Sequence, residues 1–330
     1  MKNQPFLLQP YGKNYLWGGT RLRDDFSKNI NITPFAESWE CSTHPDGPST
    51  VASGDYKGMK LSELLCLHPE FIGTHPISVD GGLPVLVKFI DAKQDLSVQV
   101  HPDDAYAKKN ENGQLGKTEM WYVLDAAPET QLVYGFHRTL TKNQLRKCAE
   151  NGTIETYLNK VAIKKNDVFF ISPGTVHAIG AGALIVEIQE SSNITYRLYD
   201  YNRIDADGKK RELHIDRAID VADLKAMDTP RQPIRVLKYR PGYASELLGR
   251  CRYFQVERLI INTERLRSMY HFKTESNSFE VLVCIDGCGI LLSEDRKTQI
   301  NFFKGDTMFI PAESINLMIH GKTQFLKVNC

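Results

Sequence analysis

The sequence predicts a mainly β protein made of two jelly-roll β barrels or sandwiches with a few helices. Two observations predict this fold. Short apolar stretches, separated by Gly, Pro, Asn and Asp, recur along the 330 residues, as is typical of antiparallel barrels and sandwiches. Part of this pattern occurs twice, which indicates two copies of one β module.

The predicted strands are short and rich in Val, Ile, Phe and Leu. They are "LPVLVKFI" (83–90), "LSVQVH" (96–101), "EMWYVLDA" (119–126), "DVFFISPG" (167–174), "ALIVEIQ" (183–189), "FEVLVCID" (279–286) and "DTMFIPA" (306–312). Three other stretches have helical spacing: 60–73, with Ser62 as candidate N-cap, 139–161, and 215–226.

An internal repeat divides the chain. "KKNDVFFISPG" resembles "FKGDTMFIPA", with Asp167 matching Asp306, and "EMWYVLDA" resembles "EVLVCIDG", with Asp125 matching Asp286. The first copy is longer by about the length of its helical stretch. We therefore predict an N-terminal metal-binding domain over 1–230, with a helical insertion at about 139–161, and a C-terminal domain over 231–330 without a metal site. The alternative is that two strand-turn-strand units look alike through composition alone.

Charge and cysteine content narrow the class of function. The 41 Lys and Arg residues nearly balance 40 Asp and Glu residues, and the basic residues are scattered, so we expect neither a nucleic-acid nor a membrane partner. No stretch reaches the roughly 18 apolar residues of a membrane span. The seven cysteines form no CxxC pair, which favours free thiols and a cytoplasmic location.

Four residues of the first module predict a metal site. Gln99 and His101 lie two residues apart in "LSVQVHPDD", so a strand would direct both to one face. Glu119 begins a later strand, and "NDVFFISPGTVHAIG" ends in His177. This layout resembles that of the cupins, jelly-roll barrels with a metal inside the barrel mouth. Two imidazoles, a carboxylate and an amide oxygen suit one divalent ion per chain, zinc before manganese, iron or cobalt. In the second copy Ile315 or Asn316 stands at the position of His177, so that copy has the barrel without the metal.

Longer motifs resemble those of type I mannose-6-phosphate isomerases (phosphomannose isomerases) of the compact bacterial form. They are "YGKNYLWGG", "AESWECSTHPDGPS", "SVQVHPDD", "GKTEMWY", "PGTVHAIG" and "IVEIQESSNITYRLYDYNR". The resemblance implies a metal-dependent aldose-ketose isomerase that interconverts mannose 6-phosphate and fructose 6-phosphate. It places Gln99, His101, Glu119 and His177 as zinc ligands, and Lys88, Lys117, Glu187 and Arg197 in the active site.

The chemistry of this reaction suits those residue types. Moving a carbonyl from C1 to C2 requires a proton shuttle and stabilisation of an enediol, for which Glu187 is the candidate base and Lys117 or Arg197 the candidate cations. Arg197 is also the candidate clamp for a phosphate or sugar oxygen. An outward, solvated Glu187 is the structural alternative. Two functional alternatives also remain: a related isomerase with a different sugar substrate, and a non-catalytic sugar-binding bicupin.

Overall fold

Antiparallel strands are the main secondary structure in the computed structural model, which describes residues 3–74, 82–204, 208–266 and 268–330. The first part of the chain contributes β1 Phe6–Gln9, β2 Tyr11–Lys13, β3 Glu37–Cys41, β4 Thr50–Val51, β5 Val85–Asp91, β6 Val98–Val100, β7 Glu119–Ala126, β8 Gln131–Phe136, β9 Leu158–Ala162, β10 Val168–Ile171, β11 His177–Ile179, β12 Ala183–Glu190 and β13 Tyr196–Tyr199. The remainder contributes β14 Lys238–Arg240, β15 Tyr243–Arg250, β16 Gln255–Asn262, β17 Tyr270–Phe272, β18 Glu280–Ser293, β19 Gln299–Phe303, β20 Thr307–Ile310 and β21 Leu317–Asn329.

The helices are short and few. They are α1 Arg21–Asp24, α2 Leu61–Leu67, α3 Asp104–Asn110, α4 Lys142–Glu150 and α5 Ile215–Val221, with 3₁₀ turns at Pro69–Phe71 and Ile154–Tyr157. Within the described ranges, none of them is long and apolar enough to cross a membrane. The prediction of a mainly β fold with a few helices is therefore confirmed.

Three sheets form the two barrels. The N-terminal barrel consists of a six-stranded sheet, ordered β10-β7-β12-β5-β3-β2, and a five-stranded sheet, ordered β13-β6-β11-β8-β9. Apolar side chains from both sheets, such as Ile90, Ile185, Leu132 and Ile179, share one core between them. The outer face of the five-stranded sheet packs against α4 and α5. The outer face of the six-stranded sheet packs against the C-terminal ten-stranded sheet.

The predicted repeat is visible in the strand pairing. In the first barrel β7 pairs with β10 so that Glu119 lies opposite Ile171. In the second, β18 pairs with β20 so that Glu280 lies opposite Ile310. The turns also agree, because the Asp167 carboxylate accepts a hydrogen bond from Lys164 N and that of Asp306 accepts one from Phe303 N. Glu280 thus occupies the position that Glu119 has in the first barrel, and there it faces Lys327 Nζ at 3.5 Å.

The chain on either side of residue 230 shares one sheet. Strand β1 pairs with β20 on one side and with β4 on the other, so both N-terminal strands extend the C-terminal sheet. The division into 1–230 and 231–330 remains a prediction. Strand pairing shows that the two predicted units are joined through backbone hydrogen bonds.

Three helix predictions need correction. Helix α2 begins at Leu61 after Lys60 as N-cap, so Ser62 lies inside the helix and does not cap it. The 139–161 insertion is only partly helical: α4 begins with a capping box at Thr141, and strand β9 begins at Leu158, where alternate side chains join the barrel. The third helix ends at Val221 and not at 226. Local spacing did not reveal these limits because pairing with distant strands sets them.

Candidate metal centre and active site

Three buried ligand-type side chains converge inside the N-terminal barrel. His101 Nε2 lies 3.2 Å from Glu119 Oε1, and His177 Nε2 lies 3.6 Å from Glu119 Oε2. The candidate ligand atoms of these three residues all lie within 4.8 Å of one another. They come from the residue after β6, the first residue of β11 and the first residue of β7. Strands β6 and β11 pair with each other in the five-stranded sheet, whereas β7 belongs to the six-stranded sheet of the same barrel.

The predicted fourth ligand lies beside them. Gln99 on β6 is directly opposite His177 on β11, and its side-chain Nε2 lies 3.4 Å from His177 Nε2. Rotation of the amide by half a turn places its oxygen at the same point, since amide nitrogen and oxygen are nearly isosteric. Gln99 and His101 thus approach one centre, as their spacing on the strand predicts.

The donor set fits a divalent cation. His177 Nδ1 donates a hydrogen bond to Thr175 O at 2.9 Å, which leaves the Nε2 lone pair available at the centre. Both oxygens of the fully buried Glu119 carboxylate lack a hydrogen-bond partner among the described residues. Lys117 Nζ forms an ion pair at 2.7 Å from Oε1 and lies 3.3 Å from His101 Nε2. The Lys117 ammonium offsets part of the cost of burying this carboxylate, and a divalent cation bound between Glu119 and the two imidazoles would offset more of it.

The electrostatics give these groups the protonation states that metal ligands need. Burial, with the positive charge of Lys117, lowers the pKa of His101 to about 3, and burial also lowers the pKa of His177. Burial alone would raise the pKa of Glu119, but Lys117 and His101 hold it well below its ordinary value. Two neutral imidazoles and an ionised carboxylate therefore face one another at neutral pH.

Glu187 faces the interior of the barrel, next to the metal-ligand group. It lies on β12, where alternation separates it from Val186 and Ile188 in the outer core, and it is only 4% exposed. The solvated alternative for this residue is therefore wrong. Glu187 Oε1 accepts a hydrogen bond from Trp121 Nε1 at 2.8 Å, and Oε2 lies 3.2 Å from Lys88 Nζ. Burial and the negative charge of Glu119 raise the pKa of Glu187.

A second buried carboxylate, Glu37, lies on the other side of Lys88. Its Oε2 is 3.9 Å from Lys88 Nζ and accepts a hydrogen bond from Trp39 Nε1 at 2.7 Å. Burial would lower the pKa of Lys88, but the carboxylates of Glu37 and Glu187 raise it. Lys88 is therefore held as an ammonium ion between two carboxylates. Glu37 was missed from the sequence, although its alternation with Trp39 in "AESWE" is a signal for a shared face.

Arg197 lies on β13, adjacent to Gln99 in the sheet. Its Nε donates to Ser97 Oγ at 3.3 Å and its NH1 donates to Glu212 O at 2.8 Å, so neither of these bonds involves a carboxylate. Burial and the neighbouring charge of Arg211 lower the pKa of Arg197, which remains protonated as arginines do.

One cleft of about 270 Å³ lies next to the metal-ligand group, although His101, Glu119 and His177 are not part of its walls. Its walls include five of the eight predicted site residues, which are Lys88, Gln99, Lys117, Glu187 and Arg197. They also include residues that the sequence analysis did not select for the site: Tyr15, Trp17, Glu37, Ile90, Leu96, Ser97, Trp121, Ile179, Asn193, Thr195 and Arg211. Most of this lining is polar, as is expected of a cleft that binds a hydrophilic molecule.

Comparison with known proteins agrees with this geometry. The family model of the phosphomannose isomerase type I catalytic domain matches residues 6–133. Mannose-6-phosphate isomerase ManA of Bacillus subtilis is 38% identical over 312 residues, which cover 94% of each chain. The mannose-6-phosphate isomerase of Streptococcus mutans is 45% identical over 218 residues, covering 66% of this chain and 67% of that protein. The crystal structure of the Bacillus subtilis mannose 6-phosphate isomerase superimposes with a TM-score of 0.88 at 36% identity, over 99% of each chain. The protein therefore belongs to the type I mannose-6-phosphate isomerase family.

Proposed function

We propose that this protein is a metal-dependent aldose-ketose isomerase that interconverts mannose 6-phosphate and fructose 6-phosphate. The observation that carries the proposal is the juxtaposition of two sites in one barrel. The buried His101, Glu119 and His177 group adjoins a polar cleft with a carboxylate, Glu187, and an arginine, Arg197, in its walls. The activities named for the relatives support the same assignment.

The metal is proposed to be zinc, one ion per chain, held by Gln99, His101, Glu119 and His177. Imidazole and carboxylate donors are common zinc ligands, and an active-site ion of this kind leaves room for substrate oxygens. When bound, the ion supplies a Lewis acid that polarises the carbonyl and hydroxyl oxygens of the sugar. Among the described residues, the group of His, Cys, Asp or Glu side chains close enough together to bind one metal ion consists of His101, Glu119 and His177 in the first barrel.

Glu187 is the proposed proton shuttle. Its carboxylate removes the proton from C2 of the open-chain aldose, the C–H electron pair forms the C1–C2 double bond, and the carbonyl oxygen gains charge as an enediolate. The hydroxyl proton of the C2 oxygen passes to the charged C1 oxygen, which moves the negative charge to the C2 oxygen. The C2 oxygen then becomes the carbonyl, and the same carboxylic acid returns its proton to C1. The raised pKa of Glu187 makes the carboxylate a stronger base, while Lys88 at 3.2 Å favours its ionised form.

The cations of the cleft have separate proposed roles. Lys117 contacts Glu119 Oε1 and lies close to the metal ligands, so its ammonium group can stabilise negative charge on the enediolate. Lys88 holds Glu187 in position through their ion pair. Arg197, which has no carboxylate among its hydrogen-bond partners in the described ranges, is proposed to bind the phosphate group.

We also propose that the protein acts in the cytoplasm. All seven cysteines are free thiols, including the exposed Cys66 and Cys288. Free thiols at a protein surface are typical of a reducing compartment.

A coupled assay of the purified protein tests the activity. Fructose 6-phosphate formation from mannose 6-phosphate is measured before chelation, after chelation, and after zinc is added back. We expect turnover that a chelator abolishes and zinc restores, and Glu187→Gln with a full complement of metal serves as the inactive control. Absence of turnover in the metal-loaded protein would exclude this substrate pair and favour another sugar or a binding role.

A further inference from the structure

A second arginine lies beside Arg197 in the cleft wall. We propose that Arg211 is a phosphate-binding residue that works together with Arg197, and that Asp200 positions it. This inference rests on the proposed function and assigns the phosphate group of the substrate to these two arginines. Both side chains line the same cleft as Gln99 and Glu187, and Arg211 is about one-fifth exposed, so that solvent reaches it.

The backbone next to Arg211 is fixed against Arg197. Glu212 O accepts a hydrogen bond from Arg197 NH1 at 2.8 Å. His214 N donates to Arg197 O at 2.8 Å, and Arg197 N donates to His214 Nδ1 at 3.2 Å. These three bonds join residues 212–214 to strand β13, so the position of Arg211 relative to Arg197 is set by the fold and not by a free loop.

Asp200 orients the guanidinium of Arg211. Arg211 Nε donates to Asp200 Oδ2 at 2.7 Å and NH2 donates to Oδ1, which is a two-point contact that holds the plane of the group. Its NH1 makes no hydrogen bond to any residue in the described part of the chain. Burial would raise the pKa of the Asp200 carboxyl, but Arg211 and Arg203 lower it below its ordinary value. One edge of Arg211 is thus fixed, while another remains available to a ligand.

The charge of this group suits a phosphate monoester. Asp200 is shared by Arg211 and Arg203, so its single negative charge cannot neutralise both guanidinium groups. The only carboxylate on the segment between Arg211 and α5 belongs to Glu212, whose side chain is exposed to solvent. Arg211 therefore retains positive charge beside Arg197, and a phosphate monoester carries about −1.5 to −2 at neutral pH.

Arg203 provides a matched control. It donates to the same Asp200 carboxylate as Arg211, but its NH1 donates to Asp95 O and its guanidinium lies over the ring of Tyr201 at 5.2 Å. Arg203 is not part of the cleft wall. Arg203→Ala and Arg211→Ala therefore each remove one guanidinium charge and one ion pair with Asp200, but only Arg211→Ala removes a side chain from the cleft wall.

The experiment compares the two variants in the zinc-loaded enzyme. Inorganic phosphate is the probe in isothermal titration calorimetry, and steady-state kinetics with mannose 6-phosphate gives KM and kcat. For Arg211→Ala we expect phosphate binding to weaken and KM to rise by roughly 10- to 100-fold, the usual effect of losing a charge-assisted contact. For Arg203→Ala we expect less than about a threefold change, because only a remote charge is lost. Arg211→Lys should recover part of the phosphate affinity, since it keeps the charge and loses the planar fork.

The possible results separate this inference from the proposed function. Equal effects of Arg211→Ala and Arg203→Ala on phosphate affinity would overturn the role of Arg211. Normal turnover of mannose 6-phosphate with an unchanged KM in Arg211→Ala would also overturn it, while supporting the isomerase. No turnover by the wild-type enzyme, with phosphate binding weakened only in Arg211→Ala, would support an anion site at Arg211 and remove the proposed substrate.

Discussion

Replacement of Lys28 by Met is expected to destabilise the protein strongly. Lys28 Nζ donates to Glu40 Oε2 at 2.7 Å and also to Gly305 O, and both charged side chains are buried. The Glu40 carboxylate accepts two further hydrogen bonds, from Ser38 Oγ at 2.6 Å and from Thr307 Oγ at 2.8 Å. The ion pair therefore joins the first barrel to the turn and strand of the second.

The magnitude follows from the burial of both charges. Lys28→Met preserves most of the side-chain volume but leaves the Glu40 charge in the core with two neutral donors. Removal of one partner from a buried ion pair typically costs about 3–5 kcal/mol, because the remaining charge stays desolvated. Addition of Glu40→Gln removes that charge and keeps an oxygen that can accept from Ser38 or Thr307. We expect the double variant to be more stable than Lys28→Met alone by about 1–3 kcal/mol.

Urea unfolding followed by tryptophan fluorescence measures the free energy of unfolding of the wild type, both single variants and the double variant. If Lys28→Met lowered the free energy of unfolding by less than about 1 kcal/mol, the reasoning would be refuted, because exposed ion pairs contribute about that much to stability. The reasoning would also be refuted if the double variant lost as much free energy of unfolding as the two single variants together. That result would show that the charges of Lys28 and Glu40 do not depend on each other.

Three further predictions concern the site and its surroundings. Glu187→Gln should lower kcat by about 10²- to 10⁴-fold with unchanged zinc content by metal analysis, and a smaller loss would exclude Glu187 as the shuttle. His177→Ala should bind less than one zinc ion per chain and lose the increase in thermal unfolding temperature that zinc gives the wild type; an unchanged zinc content would argue against this ligand. Burial raises the pKa of Glu190 from 4.5 to about 7, with its carboxylate bound to Thr118 N and close to Asp104. Because folded Glu190 holds its proton more tightly than unfolded Glu190, the free energy of unfolding should fall by at most ~3 kcal/mol as pH rises from about 4.5 to about 7. Glu190→Gln should remove this part of the pH dependence, and identical pH profiles of the two proteins would contradict the assignment.

Patterns of short range predicted much of the site. Alternation along one strand was enough to place Gln99 and His101 at one centre, and the similarity of two segments was enough to align β7 with β18. Both inferences hold because a strand fixes the direction of its side chains within a few residues. The direction of the Glu187 side chain could not be predicted in this way. Alternation separates the two faces of a strand but does not show which face lies inside the barrel.

Other parts of the site depend on contacts that are distant in the sequence. Arg211 lies in a connecting segment without periodicity, and its bonds to Asp200 and those of its neighbours to Arg197 bring it to the cleft. The same applies to strand β9, which follows a helical segment and forms because β8 pairs with it. Helix α3 was not predicted, although the Asp103 side chain accepts a hydrogen bond from Tyr106 N as an N-cap does.

The position of strand β1 limits where the chain can be truncated. Its partner β20 comes from the far end of the sequence, so a fragment that stops near residue 230 would leave β1 with only the two-residue β4 as neighbour. Phe6 and Leu8, which are buried in the complete chain, would then lie along an open apolar edge that is prone to aggregate. Deletion of the second barrel is therefore expected to destabilise the first, because β20 is a partner of the N-terminal strand β1.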